Sequence, residues 1–250
     1  MSFETLSNLT NKTVVITGGT SGIGHQLVTR LSPTNKVLVI ARASERSTNL
    51  KDEFPNIDIY AADLSAPITY EALADQILRD HPKIDLLINN AAIQFTPKFL
   101  DEDFCYETIT HEINLNFTAV CALSYLLLPA LLHDGEEAVI TNINSGLGLS
   151  PKTSSAIYCA TKGAMNIFSQ SLRYQFADTN IRIMQVFLPL VDTPMTQGRG
   201  DKKLTSKHVV HEIINGIKNG ACDLDIGKVK FLRFLLKFMP FIATAIMKRS

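Results

Sequence analysis

Residues 13–25 read Thr13-Val14-Val15-Ile16-Thr17-Gly18-Gly19-Thr20-Ser21-Gly22-Ile23-Gly24-His25, an apolar, β-branched run that leads into a glycine-rich turn and a helical pattern. Glycine lets a backbone reverse sharply and approach a pyrophosphate, whose charge can meet the free amides at a helix N-terminus. Gly18, Gly22 and Gly24 therefore fit a dinucleotide-binding turn. They also fit a tight turn that only joins a strand to a helix, since a glycine triplet alone is weak evidence.

The rest of the chain alternates between apolar runs and amphipathic segments. Five more apolar runs follow at 36–40, 57–60, 84–88, 138–143 and 181–187, and helical patterns occur at 23–31, 70–79, 112–132 and 155–176. This alternation is typical of βαβ units and a parallel sheet. Because each run is apolar throughout, we expect helices on both faces of the sheet, which is a doubly wound α/β domain. The segment 193–206 is predicted as a loop, either mobile and near a site or merely on the surface.

Composition excludes several classes of protein. Of 250 residues, 46% are hydrophobic and 19% are charged, which indicates a folded globular chain. Lys and Arg number 24 and Asp and Glu number 24, so no overall positive field favours nucleic acid as a partner. The four cysteines, Cys105, Cys121, Cys159 and Cys222, form no C-x-x-C pair and predict reduced, buried thiols rather than a zinc site or disulfides.

The chain carries no targeting or spanning pattern. It begins Met1-Ser2-Phe3-Glu4-Thr5, without the basic and apolar regions of a secretory leader. The apolar stretch 119–132 is shorter than the roughly 18 residues of a membrane span and contains Ser124, Tyr125 and Pro129. We therefore expect a cytoplasmic protein.

The glycine spacing G-x-x-x-G-x-G resembles that of the classical short-chain dehydrogenase/reductase family, and the resemblance continues along residues 10–195. Asp63-Leu64 looks like the family's adenine-contacting pair, and Asn89-Asn90-Ala91-Ala92 looks like its N-N-A-G element, with Ala92 in place of the glycine. Asn114, Ser145, Tyr158 and Lys162 match its catalytic set, the last two as Y-x-x-x-K. The resemblance implies a single-domain Rossmann-type fold over residues 1–227 and an NAD(P)(H)-dependent oxidoreductase.

Tyr158 and Lys162 lie four residues apart on a predicted helix, so their side chains share one face. A tyrosine pKa lies near 10, and an adjacent ammonium is expected to lower it toward neutrality. By resemblance, Lys162 also binds the nicotinamide ribose, Ser145 polarises a substrate carbonyl, Asn114 holds a water and Tyr158 donates the proton. Hydride transfer between the nicotinamide and a carbonyl or secondary alcohol is the reaction implied. The alternative is a non-catalytic NADP-binding sensor or scaffold.

The end of the second apolar run bears on the choice of cofactor. Ala41 stands where NAD-preferring relatives carry Asp, and Arg42 is placed to grip a 2'-phosphate, so we expect NADP(H) over NAD(H). Arg42 could instead only solvate the strand end. Val191 and Thr193 resemble the family's P-G-x-V-x-T segment, although Leu188 and Pro189 depart from it. The cofactor-binding residues predicted are Gly18, Thr20, Ser21, Gly22, Ile23, Gly24, Arg42, Asp63, Leu64, Asn90, Ala91, Ala92, Tyr158, Lys162, Val191 and Thr193.

The C-terminal tail, 228–250, has six basic residues and no acidic one. Its basic residues fall near one helical stripe, which suits a helix at a membrane surface with a break at Pro240. An oligomer interface or a lid over the substrate is an equally good interpretation. The tail and Ala91-Ala92-Ile93-Gln94 also resemble a DltE-like subgroup of the family.

Three weaker signals complete the predictions. Phe95, Phe99 and Phe104 are expected either to line an apolar substrate pocket or to pack in the core. His208 and His211 lack a third ligand nearby, so no metal site is predicted. Members of the family are commonly dimers or tetramers, so the resemblance implies a homodimer or homotetramer with a small-molecule substrate.

Overall fold

A seven-stranded sheet in the order β3-β2-β1-β4-β5-β6-β9 organises the computed structural model, which describes residues 6–133, 136–200 and 202–249. All of its neighbouring strands are parallel. Its strands are β1 Thr13–Thr17, β2 Lys36–Ala41, β3 Asp58–Ala61, β4 Leu86–Asn89, β5 Ala138–Ser145, β6 Ile181–Leu188 and β9 Asp223–Asp225. A separate short pair, β7 Val191–Asp192 and β8 Leu204–Thr205, is also parallel.

Helices cover both faces of the sheet. They are α1 Gly22–Leu31, α2 Glu45–Glu53, α3 Tyr70–Asp80, α4 Glu107–Ile113, α5 Ala119–Leu126, α6 Leu128–Leu131, α7 Ala156–Gln175, α8 Ser206–Lys218, α9 Lys228–Phe238 and α10 Pro240–Lys248. Side chains alternate across a strand, so Val14 and Ile16 enter one apolar cluster with α1 and α8, while Val15 enters the other with α3 and α5. The α/β, doubly wound prediction is confirmed.

The predicted helix over 112–132 is wrong as a single element. The chain there forms α4, a five-residue π-helical turn Asn114–Thr118, then α5 and α6. Pro129 sits in the first turn of α6, where its missing amide costs nothing, and it cannot continue the helix before it.

Other elements were not predicted from the apolar pattern. Helix α2 has nine mostly polar residues, and β9 reads Asp-Leu-Asp, so neither shows the apolar period that marks the other elements. The predicted break at Pro240 is confirmed, because α9 ends at Phe238 and α10 begins at Pro240. The segment 193–206 carries a 3₁₀ turn at Pro194–Thr196 and the short strand β8.

The cysteine prediction needs a correction. The four thiols are free, but Cys105 and Cys222 are exposed and Cys121 is half-buried, so that Cys159 alone of the four is buried. Cys222 lies next to the edge strand β9, and Cys105 lies in the irregular segment before α4, so neither reaches the core.

No helix within the described ranges is long and apolar enough to cross a membrane. Residues 1–5, on which the leader prediction rests, lie outside the described residues, as do residues 134, 135, 201 and 250.

Candidate active site

Three glycines of the turn after β1 disfavour any side chain, two because of their backbone conformation and one because of close packing. Gly18 and Gly22 have φ angles of +71° and +54°, a region that favours glycine. A Cβ on Gly24 would lie 2.0 Å from the carbonyl oxygen of Gly18. The Asn90 side-chain amide donates to the carbonyls of Thr17 at 2.9 Å and of Gly18 at 3.1 Å, which fixes the turn against β4.

The first turn of α1 fits an anionic group. Ser21 occupies the N-cap, yet among the described residues its side chain makes no cap hydrogen bond to the helix, so the first amides remain available to another acceptor. A Cβ on Gly22 would lie 3.1 Å from the Thr193 methyl carbon, which places Thr193 beside this turn. Thr20, Ser21 and Ile23 are half-buried around it.

Ala91 and Ala92 follow β4 and lie beside the turn. The Ala91 amide donates to Thr17 Oγ1 at 2.9 Å, and a Cβ on Gly18 would lie 3.0 Å from Ala91 Cα. Ala92 does not adopt a positive φ, since among the described non-glycine residues only Asn11 and Ser155 do. The departure from glycine at position 92 therefore costs the backbone no strain.

Arg42 and Asp63 lie together where β2 and β3 end. Arg42 is exposed just beyond Ala41, and Leu64 is buried. The Asp63 carboxylate accepts hydrogen bonds from the Ser65 amide at 2.9 Å and hydroxyl at 2.7 Å. These hydrogen bonds, and then the nearby positive charge of Arg42, hold the pKa of Asp63 below its usual value.

Ser145, Tyr158 and Lys162 meet where β5 ends against α7. The Ser145 side chain lies close enough to the Tyr158 hydroxyl to influence its pKa. Lys162 is only 2% exposed; its amine donates to the Ile143 carbonyl at 2.8 Å and lies 5.6 Å from the centre of the Tyr158 ring. The structure thus brings three of the four predicted catalytic residues into one cluster.

The pKa of Tyr158 moves in the opposite direction from the prediction. Burial raises it, the Glu112 carboxylate and the Cys159 thiol raise it further, and the Ser145 side chain lowers it. Burial also lowers the pKa of Lys162 to about 8. The reason is desolvation, which penalises both the phenolate and the ammonium when they are taken out of water.

Asn114, the fourth predicted catalytic residue, opens the π-helical turn between α4 and α5. Its side-chain amide donates to the Ser65 carbonyl at 3.1 Å, and its own carbonyl accepts from the Tyr70 hydroxyl at 3.3 Å. The turn packs against α7, the helix of Tyr158 and Lys162. Single π-helical turns are frequent at functional sites, where they re-aim the backbone.

Two buried asparagines that the sequence analysis did not single out position the site. Asn116 pairs with the Ile93 backbone through two hydrogen bonds of 2.8 Å. Asn144 accepts from the Ser145 amide at 2.8 Å and donates to Gln185 Oε1 at 3.0 Å. An amide side chain inside an apolar run was the available signal, because a buried amide needs hydrogen-bond partners.

An apolar pocket lies between the segment that follows β4, the helix α4 and the start of α7. Phe95, Phe99 and Phe104 line it, so the structure favours the pocket interpretation of this cluster over core packing. Glu112 lines the same pocket at 2% exposure and accepts a hydrogen bond from the Phe95 amide at 3.2 Å. Burial raises the pKa of this carboxyl to about 7. Glu112 was missed because it reads as one polar residue in an amphipathic helix.

A polar chain connects the pocket wall to the segment after β7. Ser155, which precedes α7, has a φ of +58° and accepts from Gln94 Nε2 at 3.1 Å. Arg199 in turn donates to Gln94 Oε1 at 2.6 Å. The segment that carries Thr193, and begins after the buried Val191, therefore reaches from the glycine turn to the pocket.

Comparisons with known proteins agree with this geometry. A family model described as short chain dehydrogenase matches residues 12–204. The Bacillus subtilis (strain 168) protein named Uncharacterized oxidoreductase DltE is 34% identical over 232 residues, which cover 90% of this chain and 92% of that protein. The predicted resemblance to a DltE-like subgroup is confirmed.

Two solved structures share the fold. One is a short chain dehydrogenase from Burkholderia cenocepacia J2315 in complex with NADP, with a TM-score of 0.85, 22% identity, and coverage of 96% of this chain and 98% of that one. The other is 3-ketoacyl-(acyl-carrier-protein) reductase from Brucella melitensis complexed with NADH, with a TM-score of 0.79, 23% identity, and coverage of 88% and 98%. Family model and DltE together decide the assignment: the chain belongs to the short-chain dehydrogenase/reductase family of NAD(P)-dependent oxidoreductases.

Proposed function

We propose that this protein is an NADP(H)-preferring carbonyl reductase or alcohol dehydrogenase whose catalytic set is Asn114, Ser145, Tyr158 and Lys162. The observation that carries the proposal is the cluster of Ser145 with the buried Tyr158 and Lys162 where β5 ends against α7. A cofactor-binding sensor without turnover would not need Ser145, Tyr158 and Lys162 to be gathered at one place.

The chain's own residues fit a dinucleotide. Together with Thr193, the turn Gly18–Gly24 and the first amides of α1 would hold the pyrophosphate. Arg42 and Asp63 would face the adenosine. The path to the nicotinamide would be lined by Ala91, Ala92 and Val191. When bound, a nicotinamide supplies or accepts the hydride.

The protein supplies the proton and stabilises the charge on oxygen. Because the pKa of Tyr158 is raised, its hydroxyl stays protonated at neutral pH and is ready to donate to a carbonyl oxygen. Ser145 provides a second hydroxyl for the same oxygen. The amine of Lys162, held on the Ile143 carbonyl, lies behind the tyrosine ring.

Arg42 supports NADP(H) over NAD(H). It is exposed beyond the end of β2, with the small Ala41 before it and no acidic residue at either position. A guanidinium can bind a 2'-phosphate through two hydrogen bonds. The cofactors of the two solved structures differ from each other, so the preference rests on Arg42.

The pocket walls support an apolar substrate. The side chains of Phe95, Phe99, Phe104 and Ile157 give the pocket a mostly apolar wall. Such a wall favours apolar substrates, because binding buries their apolar surface. We also infer a homodimer or homotetramer, supported by large side chains that stand exposed on α5 and α7: Tyr125, Ile167 and Tyr174. Light scattering on the purified protein measures the subunit number.

The experiment that tests the proposed function compares the wild-type protein with Tyr158→Phe on a panel of apolar ketones and aldehydes with NADPH. Wild-type protein should oxidise NADPH, and the variant should lose turnover by at least about 100-fold, as expected for loss of a general acid. The variant should still bind NADPH, because the glycine turn, the first turn of α1 and Arg42 are unchanged. Normal turnover by the variant would refute the mechanism, and NADPH binding without any turnover by wild-type protein would favour the sensor.

A further inference from the structure

The chain ends in two helices, α9 and α10, which we call the tail hairpin (residues 228–249). Its inner side is already seated on the domain, with Val229, Leu235 and Ala243 buried. Arg233 Nη2 pairs with Asp225 Oδ1 at 2.8 Å, and the Thr153 hydroxyl donates to the Lys248 carbonyl at 2.6 Å. These contacts hold the inner side of the hairpin against the domain, so the structure does not support the interpretation of the tail as a lid.

The outer side of the hairpin exposes large apolar side chains. Each is about half exposed or more, and Phe241 reaches 89%. They are Phe231, Phe234, Phe238, Phe241, Ile242 and Ile246. The first three follow helical spacing and lie on one face of α9. Phe234 and Phe238 also contact each other, with ring centres 4.9 Å apart. Large apolar side chains that gather on an exposed surface mark a site that contacts something else.

Basic side chains border this patch. Lys228, Lys230, Lys237, Lys248 and Arg249 are exposed, and residues 228–250 contain no Asp or Glu. Lys230 and Lys237 lie two turns apart along one edge of the aromatic stripe. Arg233 has a different role, because it pairs with Asp225 and lies over the Phe187 ring at 4.7 Å.

This charge decides between the possible occupants of the patch. A second copy of the chain, joined by a two-fold axis through the hairpin, would bring lysines toward lysines with no carboxylate of the hairpin to offset them. An anionic lipid surface complements both features, since acyl chains accept the aromatic rings and headgroups accept the lysine amines. Apolar side chains alone or basic side chains alone give only weak membrane binding, and the hairpin has both kinds.

We propose that the tail hairpin is a peripheral docking surface for anionic phospholipid. The aromatic stripe of α9 and the start of α10 enter the boundary between headgroups and acyl chains. Lys228, Lys230 and Lys237 contact the headgroup phosphates. The proposal does not depend on the nicotinamide chemistry, because none of these side chains belongs to the candidate active site.

The test is co-sedimentation of the full-length protein with vesicles. Vesicles of phosphatidylglycerol mixed with phosphatidylcholine should carry the protein into the pellet, whereas vesicles of phosphatidylcholine alone should leave most of it soluble. Raising the salt concentration should release the protein, because ions screen exposed charges over a Debye length. Equal soluble fractions with both kinds of vesicle would overturn the proposal.

Matched variants locate the surface. Lys230→Gln with Lys237→Gln should weaken binding about 30-fold, and Phe231→Gln with Phe241→Gln should weaken it at least about tenfold. Controls are Lys207→Gln with Lys218→Gln on α8 and Ile68→Gln, all exposed positions outside the hairpin. Thermal melting confirms that each variant is folded.

Two further outcomes would overturn the proposal. If the hairpin variants bind anionic vesicles as tightly as wild-type protein, the lipid contact lies elsewhere on the molecule. If vesicles do not bind but light scattering shows that the aromatic double variant dissociates an oligomer, the occupant is a second copy of the chain.

Discussion

At the scale of single residues, we propose that Arg42 decides the choice between the two nicotinamide dinucleotides. Replacing it with aspartate removes a guanidinium that can bind the 2'-phosphate and adds a carboxylate that can accept from a 2'-hydroxyl. We expect Arg42→Asp to lower NADPH affinity at least tenfold, since a hydrogen bond to a charged group contributes roughly 1.5–3 kcal/mol. NADH affinity should stay the same or rise.

Titration of both cofactors checks this prediction. Arg79→Asp makes the same charge change at an exposed position at the end of α3 and serves as the control. Unchanged relative affinities for NADPH and NADH in Arg42→Asp would count against the assignment.

Glu112 makes stability depend on pH in an unusual direction. Its pKa is raised from 4.5 to about 7, so the folded protein keeps a proton that the unfolded chain loses. Stability is therefore unaffected by this group below pH 4.5, falls as pH rises from 4.5 to about 7, and is constant above that. Across this pH range the free energy of unfolding falls by about 3 kcal/mol in total because of Glu112.

The variant Glu112→Gln removes this cost and keeps an acceptor for the Phe95 amide. Relative to wild-type protein, it should gain about 3 kcal/mol in unfolding free energy between pH 4.5 and pH 7.5. Urea unfolding at a series of pH values measures the difference. Glu102→Gln, at an exposed position, should track wild-type protein, and parallel pH curves for Glu112→Gln and wild-type would refute the role of Glu112.

At the scale of elements, the glycine turn and the helix α7 offer two glycines in opposite settings. A Cβ on Gly24 would meet the Gly18 carbonyl at 2.0 Å, while a Cβ on Gly163 would meet nothing within 4 Å. Gly24→Ala should therefore force the turn open, destabilise the fold and abolish tight NADPH binding. Gly163→Ala should stabilise the protein by about 0.5–1 kcal/mol, because alanine restricts the unfolded chain and favours the helix.

Thermal and urea unfolding of both variants decide this prediction. Equal stability of Gly24→Ala and wild-type protein would show that the turn is looser than the structure has it. A destabilised Gly163→Ala would show that α7 has no room at that position.

Most elements with a strong apolar period could be predicted from the sequence, although the amphipathic helix α8 was not among those predicted. The six predicted strands lie within two residues of observed strands at either end, because each is a buried β-branched run. Helix α2 and strand β9 were not predicted, because their residues are largely polar and tertiary contacts decide their secondary structure. The π-helical turn at Asn114 leaves no mark in hydrophobic periodicity, so the single helix predicted there was wrong.

Residues of the candidate site likewise differ in whether the sequence alone could indicate them. Residues in the spaced motif, such as Ser145, Tyr158 and Lys162, could be predicted because their order and spacing are legible in the chain. Asn116, Glu112 and Arg199 come to the site from elements whose approach depends on three-dimensional packing. The direction of the Tyr158 pKa also required burial, which a four-residue spacing does not report.

At the scale of the whole molecule, the carboxyl ends of the parallel strands gather the site along one edge of the sheet. The glycine turn follows β1, Arg42 follows β2, Asp63 follows β3, and Ala91 follows β4. Ser145 closes β5, and the segment after β6 returns Thr193 to the glycine turn. One bound dinucleotide would therefore touch five of these strand ends, those of β1, β2, β3, β4 and β6, and would stabilise the whole domain on binding.

The most direct measurement is a fluorescence titration of the purified protein with NADPH and, in parallel, with NADH. The chain contains no Trp, so nicotinamide emission is read with little interference from the protein. We predict saturable enhancement with NADPH at an affinity at least tenfold tighter than with NADH. Failure of both dinucleotides to bind the folded protein would contradict the proposed function, and equal affinities would contradict the role of Arg42.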